Sequence, residues 1–169
     1  LTINSETGEV TLKANPDYEA QSEYNFSVVA IDAAGNQSEA QAVSLSINNL
    51  DEVSPTITSG AVAYAINENS GSGQVVYTAT ADDTADISGG VTFSLLADSD
   101  AALSIDADTG AVTLLTDPDF EAQSAYSFSV VATDAAGNES AAQAVTLDIN
   151  NLDEVSPAIT SGAVADAID

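Results

Sequence analysis

Apolar and polar residues alternate with a period of two along much of the chain. In the clearest stretches, 126–132 and 145–149, every second residue is apolar and the residues between them are mostly small or polar. This period places alternate side chains on opposite faces of a strand and predicts half-buried strands of antiparallel sheets. Turn-forming residues such as those at 108–110 and 137–138 separate the strands, and no segment keeps a period of 3.6.

The sequence repeats itself at an offset of 102 residues. Residues 1–67 and 103–169 are identical at 48 of 67 positions, which is typical of a tandem array. We therefore predict three parts: 1–53 is the C-terminal half of one repeat, 54–155 is one complete repeat, and 156–169 is the first strand of the next. We expect the sequence to be a segment of a longer protein.

Each repeat of about 102 residues holds about seven short strands. That number of strands predicts an all-β, immunoglobulin-like antiparallel β-sandwich. Because the chain has four Phe, five Tyr and no Trp, we expect a small core of mainly Val, Leu, Ile and Ala. A core of that size is marginal, so a bound ion has room to add stability.

The composition excludes several classes of partner, metal site and nucleophile. A net charge of −26, with Lys13 as the only basic side chain, excludes nucleic acid and anionic membrane surfaces as partners. Without His or Cys, the usual N/S metal sites and Ser-His or Cys-His nucleophile pairs are absent. No apolar run approaches the ~20 residues needed for membrane insertion. Carboxylate oxygen is abundant, and it suits hard cations such as Ca²⁺.

The acids recur at fixed points of the repeat, close to strand ends. The groups are Asp17 and Glu19 with their counterparts Asp119 and Glu121, the linkers 49–52 and 151–154, the pair Asp82 and Asp83, and Asp32 with its counterpart Asp134. Neighbouring carboxylates repel each other unless a cation lies between them. Because Ca²⁺ takes 6–8 oxygen ligands, we expect these groups to form calcium sites.

Several short motifs point to one family. They are Phe93-Ser94-Leu95, similar to a "YSI" strand; Leu103-Ser104-Ile105-Asp106 with Thr109-Gly110, similar to "FSID…TG"; Asp119-Phe120-Glu121, similar to "LDxE"; residues 130–134, similar to "VxAxD"; and residues 49–55, which match the place of a "DxNDNxP" linker. Glu68 matches the acid of the family's first strand. Over its whole length the chain resembles cadherin repeats, in the form found in tandem in very large secreted bacterial surface adhesins.

The resemblance implies Ca²⁺ between consecutive repeats, with ligands from both. For the internal junction it implies Asp17, Glu19, Asn49, Asp51 and Glu52 upstream and Asp82, Asp83 and Asp134 downstream. For the second junction it implies Glu68, Asp119, Glu121, Asn151, Asp153 and Glu154. The linker departs from the family, with Asn49, Asp51, Glu52 and Val53 in place of Asp, Asn, Asp and Asn, and Asp82 and Asp83 are adjacent where the family separates its acids by one residue.

The main hypothesis for function is a structural extender of an extracellular, cell-surface adhesin or fibre, stiffened by calcium. Its partners are neighbouring repeats and, through pairing of 156–169 with an open sheet edge, other copies of the chain. The alternative is a recognition module that pairs with itself or binds glycans. An enzyme with a carboxylate pair is not expected. Other acids, such as Asp86, Asp98, Asp100 and Asp108, are predicted to be turn or surface residues.

Overall fold

The computed structural model describes residues 1–162, in which strands, turns and loops account for the whole backbone. Its strands are β1 (Thr2–Ile3), β2 (Val10–Thr11), β3 (Glu23–Val28), β4 (Gln41–Ser46), β5 (Thr56–Ile57), β6 (Ile66–Asn67), β7 (Gln74–Thr78), β8 (Ala81–Asp82), β9 (Val91–Leu95), β10 (Leu103–Ile105), β11 (Ala111–Leu114), β12 (Ala125–Asp134) and β13 (Gln143–Asn150). Among residues 1–162 no helix has the length and apolar character that a membrane crossing requires.

The chain divides into two compact units, Leu1–Val53 and Ser54–Asp169. Residues 156–162 carry no strand, and the remainder of the predicted 156–169 strand, residues 163–169, lies outside the described residues. That part of the domain interpretation stays a prediction.

The second unit is a β-sandwich, as predicted. One sheet has four strands in the order β6-β13-β12-β9, and the other has three in the order β10-β11-β7; β5 pairs with β8. All pairs are antiparallel except β6 with β13, which run parallel. The sequence predicts an antiparallel sandwich, and this parallel pair is the exception to it. β6, near the start of the unit, lies beside β13, the last strand of the unit, and runs in the same direction.

The core lies between these two sheets. Alternate residues of β13, Val145, Leu147 and Ile149, point inward and are buried, as the period of two predicts. Aliphatic residues dominate the core, as expected, but it also contains Tyr77 and Phe128, which pack edge to face with ring centroids 5.5 Å apart. The Tyr77 hydroxyl lies 2.6 Å from Ser59 Oγ and 2.7 Å from the Gly60 carbonyl oxygen, so the one polar atom of this ring is satisfied.

The first unit contains a hairpin with the same register as the second. Glu23 pairs with Ser46 as Ala125 pairs with Asp148, 102 residues later. The apolar face of this hairpin is nevertheless open: Leu45 is 39% exposed, whereas its counterpart Leu147 is 0% exposed. In the second unit a three-stranded sheet covers that face, and within the first unit only the short β1–β2 pair is present beside the hairpin.

The predicted turn at 108–110 joins β10 to β11. The Asp106 carboxylate accepts hydrogen bonds from the Thr109 N–H (2.9 Å) and hydroxyl (2.8 Å). Gly110 has φ +68°, and a Cβ at this position would lie 2.5 Å from the Ala79 carbonyl oxygen. Both the backbone angle and the close approach therefore require glycine.

The difference in burial between the two hairpins predicts different responses to truncation. Leu147→Ala should destabilise the chain by about 2–5 kcal/mol, because it leaves a cavity in a closed core. The matched change Leu45→Ala should cost less than about 1 kcal/mol, since water already reaches that side chain. Urea denaturation measures both variants, and equal losses would contradict the assignment of the core to the second unit.

The Asp106 turn predicts a contribution to acid sensitivity. The Thr109 backbone N–H, and then its hydroxyl, hold the pKa of Asp106 below its usual value. This contribution is present above the unfolded pKa and is lost as the pH falls through the lower, folded pKa. Asp106→Asn, which copies Asn4 at the equivalent turn of the first unit, should show a smaller loss of stability between neutral and acidic pH. Urea midpoints measured across that range test this, and an unchanged slope would contradict it.

Candidate metal centre

Glu68 lies directly after β6, and its side chain is 1% exposed. Its carboxylate accepts hydrogen bonds from the Phe120 N–H (2.9 Å) and the Leu152 N–H (2.5 Å). Its own N–H donates to the Asn150 carbonyl oxygen at 3.1 Å. The Glu68 side chain therefore connects three separate segments: the residues after β6, the loop before β12 and the stretch after β13.

Two further carboxylates meet Glu68. Glu121 and Glu154 each bring an oxygen to within 4.8 Å of the others. We call Glu68, Glu121 and Glu154 the carboxylate cluster. Amide groups support it, since Asn151 donates to Glu121 (3.2 Å) and Asn69 donates to Glu154 (2.9 Å). The supports orient the carboxylates, and all donors in the cluster are hard oxygen atoms, the ligand type that Ca²⁺ prefers.

Within the carboxylate cluster, the pKa values of Glu68 and Glu154 are shifted in opposite directions. The Leu152 N–H is the main reason that the pKa of Glu68 lies below its usual value; burial opposes the shift and the Phe120 N–H adds to it. The pKa of Glu154 is raised, first by desolvation of its carboxyl group and then by Glu68 and Glu121 close by. Glu68 therefore holds its negative charge more firmly than Glu154 does, and a nearby cation would favour the charged form of Glu154.

The remaining ligands predicted for this junction have local partners. The Asp119 carboxylate accepts the Ala122 N–H at 3.0 Å, and the Asp153 carboxylate accepts the Val155 N–H at 3.0 Å. Each closes a short turn beside the carboxylate cluster. The structure thus brings together Glu68, Glu121 and Glu154, places Asn151 next to them, and leaves the roles of Asp119 and Asp153 as predictions.

In the first unit, the equivalent acids line one open cleft. Asp17, Glu19 and Glu52 face it together with Tyr18 and Leu50. The Asp17 carboxylate accepts the Ala20 N–H at 2.9 Å and the Asp51 carboxylate accepts the Val53 N–H at 3.2 Å, as their counterparts do in the second unit. Asn49, like Asp51, lies in the stretch after β4.

The predicted downstream ligands lie at the ends of strands of the second unit or directly after them. Asp82 ends β8 and accepts the Thr84 hydroxyl at 2.8 Å, and Asp83 follows it. Asp134 ends β12, is buried, and accepts both the backbone N–H and the side-chain amide of Asn138 at 2.8 Å. Burial alone raises the pKa of Asp134, but the Asn138 hydrogen bonds outweigh burial and lower it.

Sequence reasoning missed Asn69. Its φ of +57° places it in the left-handed region, where Asn is enriched. This conformation accompanies the hydrogen bond from the Asn69 side chain to Glu154. The sequence carries a signal, because Asn69 precedes the glycine-rich turn 71–73, but the pairing with Glu154 spans 85 residues.

A family description, "Cadherin domain", matches residues 63–150, just over half of the chain. The chain belongs to the cadherin family. A second description, "Bacterial Ig-like domain", matches residues 1–49. Cadherin domains are adhesion modules rather than enzymes, in agreement with the expectation from sequence.

Relatives of this cadherin are large animal proteins. Protocadherin Fat 4 of Mus musculus is 29% identical over 176 residues, covering 99% of the chain and 4% of the relative. Cadherin EGF LAG seven-pass G-type receptor 2 of Homo sapiens is 29% identical over 136 residues, covering 79% of the chain and 4% of the relative. The chain therefore spans a small fraction of the length of these relatives.

Solved cadherins share its fold. Mouse cadherin-23 EC22-24 matches with a TM-score of 0.59 and 23% identity, covering 82% of this chain and 46% of that one. Protocadherin Gamma B2 extracellular cadherin domains 1-5 match with a TM-score of 0.58 and 20% identity, covering 82% and 28%. The cadherin-like sandwich predicted from the sequence is confirmed.

Neutralising Glu68 and neutralising Glu121 should affect Tm differently. With chelator present, Glu68→Gln should lower Tm by about 5–10 °C, because its amide NH₂ faces a backbone N–H and one acceptor is lost. Glu121→Gln, which relieves repulsion, should leave Tm unchanged or raise it. Thermal melts followed by circular dichroism compare the two. A fall of equal size in both variants would argue against Glu68 as the anchor.

Proposed function

We propose that the chain is a calcium-binding extender segment of a repetitive extracellular adhesin or fibre, with Ca²⁺ at the junctions between repeats. The observation that carries this proposal is the carboxylate cluster. Three acids from segments far apart in sequence converge beside the stretch that leads from one repeat to the next. Such proximity of like charges costs free energy, and a bound cation would offset the repulsion.

Calcium fits this donor set better than other metals. The carboxylate cluster offers oxygen only, and the chain has neither His nor Cys, which argues against zinc or copper. Glutamates bind Ca²⁺ in one- or two-oxygen modes, and Mg²⁺ demands a stricter octahedron and retains its water. Glu68, Glu121 and Glu154 would hold the ion, with Asn151, Asp119 and Asp153 as the further ligands implied by the family resemblance.

The ion would supply positive charge to a point where three chain segments meet. Glu68 already connects the region after β6 to the loop at 119–121 and to the stretch after β13. A cation shared by Glu68, Glu121 and Glu154 would fix the direction in which the chain leaves β13. Flexible connections between repeats would then become stiff ones, which is what an extender requires.

The same logic extends to the internal junction as a proposal from sequence. Asp17, Glu19 and Glu52 share a cleft in the first unit, which supports their role as ligands. Asn49 and Asp51 would complete the upstream set, and Asp82, Asp83 and Asp134 the downstream set. A hydrogen bond from the Asn138 N–H orients the Asp134 carboxylate at the end of β12.

We propose that this extender belongs to a large surface protein of bacterial origin. Near-identity of its repeats and the match of residues 1–49 to a bacterial Ig-like domain support this setting. Extracellular modules bind Ca²⁺ with a Kd of about 10⁻⁴–10⁻³ M. A site of that affinity fills outside the cell and empties inside it, so stiffening would follow secretion. The cadherin relatives are animal proteins, and the extender role does not depend on the source.

A calcium titration tests the proposed function. Ca²⁺ at ten times its Kd should stabilise the fold by about 1.4 kcal/mol for each site, raising Tm by several degrees, and Mg²⁺ should do much less. Glu121→Gln should reduce this response, and Asp51→Ala/Glu52→Ala should reduce it through the internal junction. Glu139→Gln, an exposed acid outside both sets, is the matched control for charge. Small-angle scattering with and without Ca²⁺ measures whether the chain stiffens. A Tm that does not depend on Ca²⁺, together with the same scattering profile in both conditions, would overturn the proposal.

A further inference from the structure

The loop between β6 and β7, residues 68–73, carries two of the groups that fix the carboxylate cluster. Glu68 is the first residue of this β6–β7 loop and is itself a member of the cluster. Asn69 is the second residue, and its side-chain amide donates to the Glu154 carboxylate at 2.9 Å. The conformation of the β6–β7 loop therefore determines where two of the three carboxylates lie.

The backbone of the β6–β7 loop is costly to hold in one conformation. Asn69, with φ +57°, and Gly71, with φ +92°, both lie in the left-handed region. Glycine enters this region without strain, but it also loses more conformational entropy than any other residue when the chain is ordered. Contacts from outside the loop must offset that entropy if Glu68 and Asn69 are to stay in place.

Two backbone carbonyl groups beside the loop supply part of these contacts. The Leu114 carbonyl oxygen accepts the Gly73 N–H at 2.8 Å, and the Pro118 carbonyl oxygen accepts the Asn69 N–H at 2.9 Å. The Pro118 side chain is fully buried, and its ring fixes the backbone φ angle at this position. Because Pro118 lies three residues before Glu121, the same stretch also leads to the third carboxylate of the cluster.

The side chain of Asp117 supplies a third contact. Its carboxylate accepts the Gly71 N–H at 2.7 Å, and a hydrogen bond to an ionised acceptor is roughly twice as strong as a neutral one. The Gly71 carbonyl oxygen in turn accepts the Gln74 side-chain amide at 2.7 Å, so both peptide groups of this glycine are held. Asp117 is exposed, and it is not one of the three carboxylates that meet in the cluster.

We propose that Asp117 is a positioning residue of the metal centre: it binds no ion, but its hydrogen bond to Gly71 holds the β6–β7 loop so that the carboxylate cluster is arranged for calcium. This inference rests on the proposed function. Replacing residues that orient metal ligands typically weakens metal binding 10–100-fold. Because Asp117 acts through the loop, we expect an effect at the lower end of that range, about tenfold.

Calorimetric Ca²⁺ titration of the full 169-residue chain tests this inference with a matched pair of variants. Asp117→Asn and Asp117→Ala remove the same charge, but only Asn keeps an oxygen that can accept the Gly71 N–H; the sequence itself has Asn15 at the equivalent position 102 residues earlier. At the site that Glu121→Gln weakens, Kd should rise about tenfold in the Ala variant and at most about threefold in the Asn variant. Asp98→Ala removes an exposed acid elsewhere and should leave Kd unchanged.

Hydrogen exchange of the Gly71 amide, followed by NMR with chelator present, tests the loop without calcium. Exchange should be about tenfold faster in Asp117→Ala than in the wild-type chain, because a hydrogen bond to a charged group is lost. The change should be smaller in Asp117→Asn, and circular dichroism should be unchanged in both variants. By reciprocity, Ca²⁺ should slow Gly71 exchange in the wild-type chain by a factor comparable to the loss of affinity in the Ala variant.

The outcomes separate this inference from the proposed function. Equal Ca²⁺ affinities of the Asn and Ala variants, or equal Gly71 exchange rates in the two, would overturn the positioning role of Asp117. The proposed function would still stand if the wild-type chain binds Ca²⁺ and Glu121→Gln weakens that binding. A wild-type chain that binds no Ca²⁺ would overturn the proposed function and this inference together.

Discussion

The apolar face of the β12–β13 hairpin has to be covered, and most of the architecture follows from how it is covered. Leu147 and Val130 are wholly buried because β7, β10 and β11 lie across from them, and because the segment 55–66 closes the side of the sheet. The equivalent hairpin β3–β4 has the same register with a largely open face. Strand pairing thus specifies the hairpin, and burial of its face specifies the domain.

The position of the carboxylate cluster depends on the same segment that closes the side of the sheet. Glu68 follows β6 directly, so the parallel pairing of β6 with β13 carries its side chain to the end of β13. There its carboxylate bonds to backbone N–H groups at Phe120 and Leu152. A charge taken out of water requires such partners. The partners hold the loop and the linker in place, and Glu121 and Glu154 come with them.

Sequence alone predicted the parts of this fold that depend on local periodicity. The alternation at 126–132 and 145–149 specified which side chains of β12 and β13 point inward, and the turn at 108–110 was recognisable from its residues. The family resemblance named Glu68, Glu121 and Glu154. It did not separate them from Asp119 and Asp153, because all are acids at family positions. What distinguishes Glu68 and Glu154 is a pair of hydrogen bonds across 84 and 85 residues, from Leu152 to Glu68 and from Asn69 to Glu154. Glu121 is distinguished by the bond from Asn151, 30 residues away.

Pairing of β6 and the proposed binding of calcium are therefore coupled through one short stretch of chain. The segment 55–68 both closes the sandwich and brings Glu68 to the carboxylate cluster. An ion held by Glu68, Glu121 and Glu154 would oppose separation of β6 from β13, since separation would withdraw one of its ligands. By linkage, any condition that strengthens this strand pairing would also tighten the metal site. If calcium binds as proposed, stiffening of the junction and closure of the sandwich edge would occur together.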